Sequence, residues 1–186
     1  MIKEEMPVLD HELLAASALY SALLEGGRRT RGLDERPIEA LLRFALTVNP
    51  WMGPELFGFP GGLTYRTQGN RNLADVAGFQ KTADGSFSDR PTAQIEFKRY
   101  SAVNYPKDYR TQFDCYLAHH GGQDNLVLLV PEFRKAYYAR EVEAAEIPSV
   151  WRLVTFAEVL KKLEARGIAD LEDGFTKTLL LNMLRA

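Results

Sequence analysis

Two strand-like segments, Leu73–Phe79 and Thr92–Tyr100, are separated by a polar stretch containing Asp84-Gly85, a dipeptide suited to a tight hairpin turn. A helical segment of about three turns, Asp108 to His119, follows them and stops at Gly121-Gly122. Two more strand candidates, Leu126–Val130 and Val150–Val154, come next, and a helix follows the second. No other feature constrains the fold as much as this order. Helices, a hairpin-rich sheet, a helix, a strand, a strand and a helix together read as an α/β domain with a mixed central sheet flanked by helices.

The remaining segments fit around that sheet. Asp10 to Leu24 reads as a helix capped by Asp10 and stopped by Gly26-Gly27. A basic connector with Arg28, Arg29 and Arg31 leads to a second helix near Asp34-Glu35-Arg36-Pro37, where a first-turn proline costs no hydrogen bond. Leu41, Leu42, Ala45 and Val48 give that helix an apolar face. From Asn49 to Gly62 the prolines and glycines predict a structured loop anchored by Trp51, Phe57 and Phe59. Leu63–Gln68 is a first strand candidate, while Glu132 to Glu146 mixes charge and aromatics without a clear element. Thr155 and Glu158 make a T-x-x-E capping box for the helix that Gly167 ends, and Phe175 to Leu184 reads as a last short helix.

Composition sets the outer limits. The chain of 186 residues suits one domain, read as residues 1–186 with a helix at 10–25, a connector at 26–34 and a core at about 35–165. Hydrophobic residues at 46% and charged residues at 26% argue against disorder. With 25 acidic and 23 basic residues the net charge is −2, so any nucleic-acid surface has to be local. A single cysteine, Cys115, excludes an internal disulfide. The longest apolar stretch, Leu13 to Leu24, falls short of the ~18 residues of a membrane span, and Met1-Ile2-Lys3-Glu4-Glu5 lacks a secretory basic region. The expectation is a soluble, cytoplasmic protein without a membrane partner.

The segment Thr92–Tyr100 carries the chemistry. Alternate side chains of a strand share a face, so Ile95 and Phe97 point one way and Glu96 and Lys98 the other. Across the expected hairpin stands Asp75, an acid inside the apolar run Leu73-Ala74-Asp75-Val76-Ala77, where aspartate is out of place. If the strands pair, Asp75 and Glu96 approach closely enough to share one cation. Two hard carboxylates suit Mg²⁺, which keeps several waters and takes further oxygens from a phosphate. The plain alternative is a solvent-facing ion pair of Glu96 with Lys98, and an Asp75 that caps a turn.

The ordered set Asp75, hairpin, Ile95-Glu96-Phe97-Lys98, a helix with Gln112 and Tyr116, and the strand Leu126–Val130 resembles the PD-(D/E)XK nuclease superfamily. The resemblance runs from about Ile38 to Leu163, including the late strand and capped helix from Val150 to Glu158. It implies a restriction-endonuclease-like core and a Mg²⁺-dependent nuclease that cuts DNA, with Mn²⁺ as a substitute and RNA left open as a substrate. In that pattern Asp75 and Glu96 hold the metal together with the backbone carbonyl of Phe97, Lys98 positions the nucleophile, and Gln112 completes the catalytic set. A further metal acid from the first core helix best matches Glu39, with Glu35 as its rival. Arg99, Lys107, Arg110 and Tyr116 are the residues that would meet nucleic acid, and a homodimer is compatible with the pattern. One departure stands out: the residue before Asp75 is Ala74, where the family signature has proline. By analogy, a stand-alone domain of this kind is similar to effectors of prokaryotic defence and mobile elements.

Other motifs are weaker. His119-His120 and His11 lack zinc-ligand spacing, and the histidine pair reads as a positive match to a helix C-terminus. Gly58 to Gly62 is not a phosphate-binding loop. Two other functions remain open. One is a catalytically inactive nuclease-fold module in a larger complex. The other is an unrelated interaction domain that uses Trp51–Phe59 as its partner surface.

Overall fold

Helix α1, Glu35–Val48, is amphipathic, and it lays Leu42, Ala45 and Leu46 into the core. Asn49 ends it, with both its backbone N–H and its side-chain amide bonded to the Ala45 carbonyl. This computed structural model describes residues 35–67, 73–98, 109–122 and 124–166. The N-terminal helix 10–25, the connector arginines, His11 and the segment Phe175 to Leu184 lie outside those residues.

The expected loop after α1 contains a short helix, α2, Met52–Phe57. Gly58 ends it in the left-handed conformation at φ 67°, so that its N–H and that of Phe59 reach the carbonyls of Pro54 and Gly53. Glycine adopts that φ without steric cost. Phe57 and Phe59 are buried and stack on each other at 5.5 Å. They belong to the core, which removes two of the three aromatics from the proposed partner surface.

The sheet has five strands in the order β1-β2-β3-β4-β5: Leu63–Thr67, Val76–Gln80, Ala93–Phe97, Leu126–Val130 and Arg152–Thr155. The first two pairings, β1 with β2 and β2 with β3, are antiparallel, with Val76 opposite Ile95. The next two steps are parallel, with Phe97 beside Leu129 and Leu129 beside Val154. Helix α3, Tyr109–Ala118, crosses over between β3 and β4. The sheet is therefore mixed, and the protein has an α/β fold.

Helices cover both sheet faces. On one face, α1, α2 and the last helix α5, Phe156–Arg166, enclose Val76, Ile95, Phe97, Val127, Leu129 and Val154. On the other, α3 and α4, Lys135–Glu143, pack Phe113, Tyr116 and Tyr138 against Ala74, Leu126, Leu128 and Val130. Strand β4 sits between the two clusters, and all five of its residues are buried, as a parallel strand covered on both faces requires. The segment left unassigned after Pro131 forms one 3-10 turn, Glu132–Arg134, followed by α4. The capping box forms as the sequence predicts: Thr155 N–H donates to Glu158 Oε2 at 3.1 Å, and Glu158 N–H to Thr155 Oγ1 at 3.2 Å.

Candidate active site

Strand β2 begins at Val76, three residues later than the expected Leu73. The physical reason lies in its partner strand. Side chains of β3 take the amides that would otherwise continue the ladder. Ala74 N–H donates to Gln94 Oε1 at 2.9 Å, and Asp75 N–H to Glu96 Oε2 at 3.3 Å. Asp75 thus stands just outside the strand, one step beyond the Val76–Ile95 pair and level with Glu96.

The Asp75 carboxylate turns back toward β3. Its Oδ2 accepts the Phe97 N–H at 2.7 Å, which fixes the aspartate against the same peptide that follows Glu96. Glu96 is only 1% exposed and Lys98 only 4%. Lys98 Nζ donates to Glu96 Oε1 in a buried ion pair. The solvent-facing pair allowed by the sequence is thereby excluded. A second donor to Glu96 Oε1 is Gln112 Nε2 at 3.0 Å, from helix α3, and the same nitrogen lies 2.6 Å from the Tyr116 hydroxyl one turn further on. Asp75, Glu96, Lys98 and Gln112 therefore meet at one place, at the end of β3 and under α3.

Tyr116 differs from expectation. It is 2% exposed, with its ring packed in the core against Phe113 and Trp151. A side chain so covered supports Glu96 from behind and does not face a nucleic-acid groove. Burial, reinforced by the charges of Glu96 and Asp75, pushes its phenol far above the ordinary tyrosine range, so the hydroxyl keeps its proton.

Phe97 holds Asp75 through its N–H; its carbonyl was the group expected to bind metal. Glu35 and Glu39 lie on α1 and Arg110 on α3, with side chains outside the described set. Arg99 and Lys107 lie wholly outside it. The basic rim expected from these residues is thus not among the described groups.

His120 also departs from the sequence reading. It is 4% exposed, and burial lowers its pKa, so it is a neutral core residue and supplies no charge to the helix end. His119 is exposed, with Nδ1 against the Cys115 carbonyl at 2.9 Å. Sequence reasoning missed Gln94, which is fully buried. Its only signal was its position two residues before Glu96, on the same strand face. A cleft of about 640 Å³ lined by Arg90, His120, Ser149 and Val150 opens at the opposite end of the parallel strands, away from the carboxylates.

The donor set can be tested against a metal. No group of three or more His, Cys, Asp or Glu side chains gathers around one point among the described residues. A closed protein cage is therefore not built from them. Two hard carboxylates, one on β3 and one just before β2, suit an ion that retains most of its waters, and Mg²⁺ is of that kind. Asp75 and Glu96 fit it. Searches of family descriptions, curated proteins and solved structures found no match to the chain. No described helix is long and apolar enough to cross a membrane.

Proposed function

We propose that the protein is a Mg²⁺-dependent nuclease of the PD-(D/E)XK type, with a restriction-endonuclease-like core and DNA as its substrate. One observation carries the reading. Asp75 and Glu96 come together across a hairpin, beside a lysine that is buried against the glutamate. Buried charge is costly to keep, and the hydrophobic alternative at such sites is often as stable or more so. A buried charged cluster of this kind is therefore a sign of chemistry.

In this reading Asp75 and Glu96 hold the ion. When bound, the metal would supply an acidified water and stabilise charge on phosphoryl oxygens. Lys98 Nζ, anchored by Glu96, orients the attacking water and offsets charge that develops at phosphorus. Gln112 keeps the Glu96 carboxylate aimed by donating to Oε1, and the neutral Tyr116 closes the site from the core side. Phe97 N–H sets the orientation of Asp75.

A second reading keeps the fold and drops the reaction: a nuclease-fold binding module within a larger complex. One feature favours it, since Glu96 Oε1 already accepts from both Lys98 and Gln112. Cleavage assays separate the two. Plasmid, linear duplex, single-stranded DNA and RNA are incubated with the protein in Mg²⁺, Mn²⁺ or chelator. Metal-dependent cleavage that falls at least about a hundredfold in Asp75→Asn and in Lys98→Ala supports the nuclease. Nucleic-acid binding without cleavage under any of these conditions supports the binding module.

A further inference from the structure

The polar face of β3 carries a second buried group, Gln94, for which the proposed reaction has no use. Gln94 Oε1 accepts the N–H of Ala74 at 2.9 Å. Its Nε2 lies 3.4 Å from the Tyr116 carbonyl and 3.1 Å from His120 Nδ1. An amide nitrogen has only hydrogens to offer, so Nδ1 is the acceptor. The ring proton is then on Nε2, which donates to the Asp124 carbonyl at 2.8 Å. Every polar atom of both side chains has a partner, and the pattern holds only for a neutral ring in one tautomer and an amide in one orientation.

This chain of bonds ends one peptide before Asp75. Ala74 is fully buried and has left the β2–β3 ladder, so its N–H depends on a side-chain acceptor. We infer that Gln94, oriented by His120, is a positioning residue for Asp75. It fixes the backbone on one side of the aspartate, while the Phe97 N–H fixes the carboxylate on the other. The inference rests on the reading of Asp75 as a metal ligand only for its effect on affinity. The positioning itself can be measured without metal. Groups outside a ligand shell that orient the ligands typically change metal affinity by about 10–100-fold when removed.

Two measurements on the full chain test this. Mn²⁺ binding, followed by electron paramagnetic resonance, should weaken at least about tenfold in Gln94→Met and in His120→Leu. His120→Asn retains an acceptor where Nδ1 stood and should return affinity to within about threefold of wild type. Amide exchange at Phe97, whose N–H binds Asp75, should accelerate in Gln94→Met and His120→Leu while exchange at Leu128 in the core stays slow. A purely structural role would lower the melting temperature and speed both amides together. If Gln94→Met does not fold, the His120→Leu and His120→Asn pair carries the test. Unchanged Mn²⁺ affinity and unchanged Phe97 exchange in the folded variants would overturn the inference. Wild-type protein that binds no Mn²⁺, with Phe97 exchange still selectively faster in the variants, would remove the metal reading and leave the positioning in place.

Discussion

The two faces of strand β3 are built on opposite principles. Ile95 and Phe97 point into a dry core closed by α1, α2 and α5. Gln94, Glu96 and Lys98 are just as buried, yet they lie among polar partners beneath α3. Apolar side chains on the first face gain about 1.5–3 kcal/mol each by leaving water, with no orientation required. On the second face each group must find a partner in a fixed direction, or it costs more than it contributes. One strand thus serves as a structural wall on one side and as a rigid mount for a site on the other.

The largest effect should come from breaking the dry face. Phe97 is 2% exposed and its ring lies 6.2 Å from that of Phe156. Phe97→Ala should cost about 3–5 kcal/mol in urea unfolding. Its backbone N–H remains available to Asp75, so any metal-dependent rise in melting temperature should persist in the folded variant. Loss of that response with a small stability change would show that the two faces are not separable.

A smaller loss should follow from breaking the polar face. Glu96→Gln removes the carboxylate charge that faces Lys98 in a buried ion pair and should destabilise the protein by about 3 kcal/mol. Adding Lys98→Met to that variant removes the buried ammonium as well and should recover part of the loss. Both versions should lose metal response. A double variant no more stable than Glu96→Gln alone would show that the cost lies in the lost glutamate and not in the remaining ammonium.

Much of the first face was legible from sequence, and less of the second. Alternation in Ala93–Phe97 separates Ile95 and Phe97 from Glu96 and Lys98, and the Asp84-Gly85 turn marks the hairpin that brings the Asp75 and Glu96 segments together. Local patterning carries that information. It carries nothing about burial, so a buried ion pair and a solvent-facing one look alike until α3 is placed over them. Tyr116 illustrates the difficulty: its helical spacing from Gln112 is plain, but only the packing of Phe113 and Trp151 around its ring shows that it faces inward. Asp75 fell within the expected strand because an apolar run hides the point at which side chains replace backbone as hydrogen-bond partners. Gln94 was missed and His120 misread for a related reason. Their roles depend on each other across 26 residues of sequence.

The two ends of the β2–β3 hairpin offer the finest test. At the open end the Asp75 carboxylate accepts the Phe97 N–H, and at the turn the Asp84 carboxylate accepts from Thr82 and Ser86. Asp84 Oδ1 accepts from the Thr82 hydroxyl at 2.5 Å, from the Ser86 hydroxyl at 2.8 Å and from the Ser86 N–H at 3.1 Å. These bonds, the Thr82 hydroxyl foremost, lower its pKa from the usual 3.8 to about 2. A carboxylate depressed by folding stabilises the native state above its unfolded pKa, and that contribution fades as pH falls from 3.8 through about 2. Asp84 is exposed, so the effect is small. Asp84→Ala should therefore melt slightly lower than wild type near neutral pH, with the gap closing between about pH 4 and pH 2. Its response to Mn²⁺ at neutral pH should match wild type, because the turn lies at the far end of the hairpin from Asp75. A gap that stays constant down to about pH 2 would show that the turn is held by the Thr82–Ser86 contacts and not by the Asp84 charge.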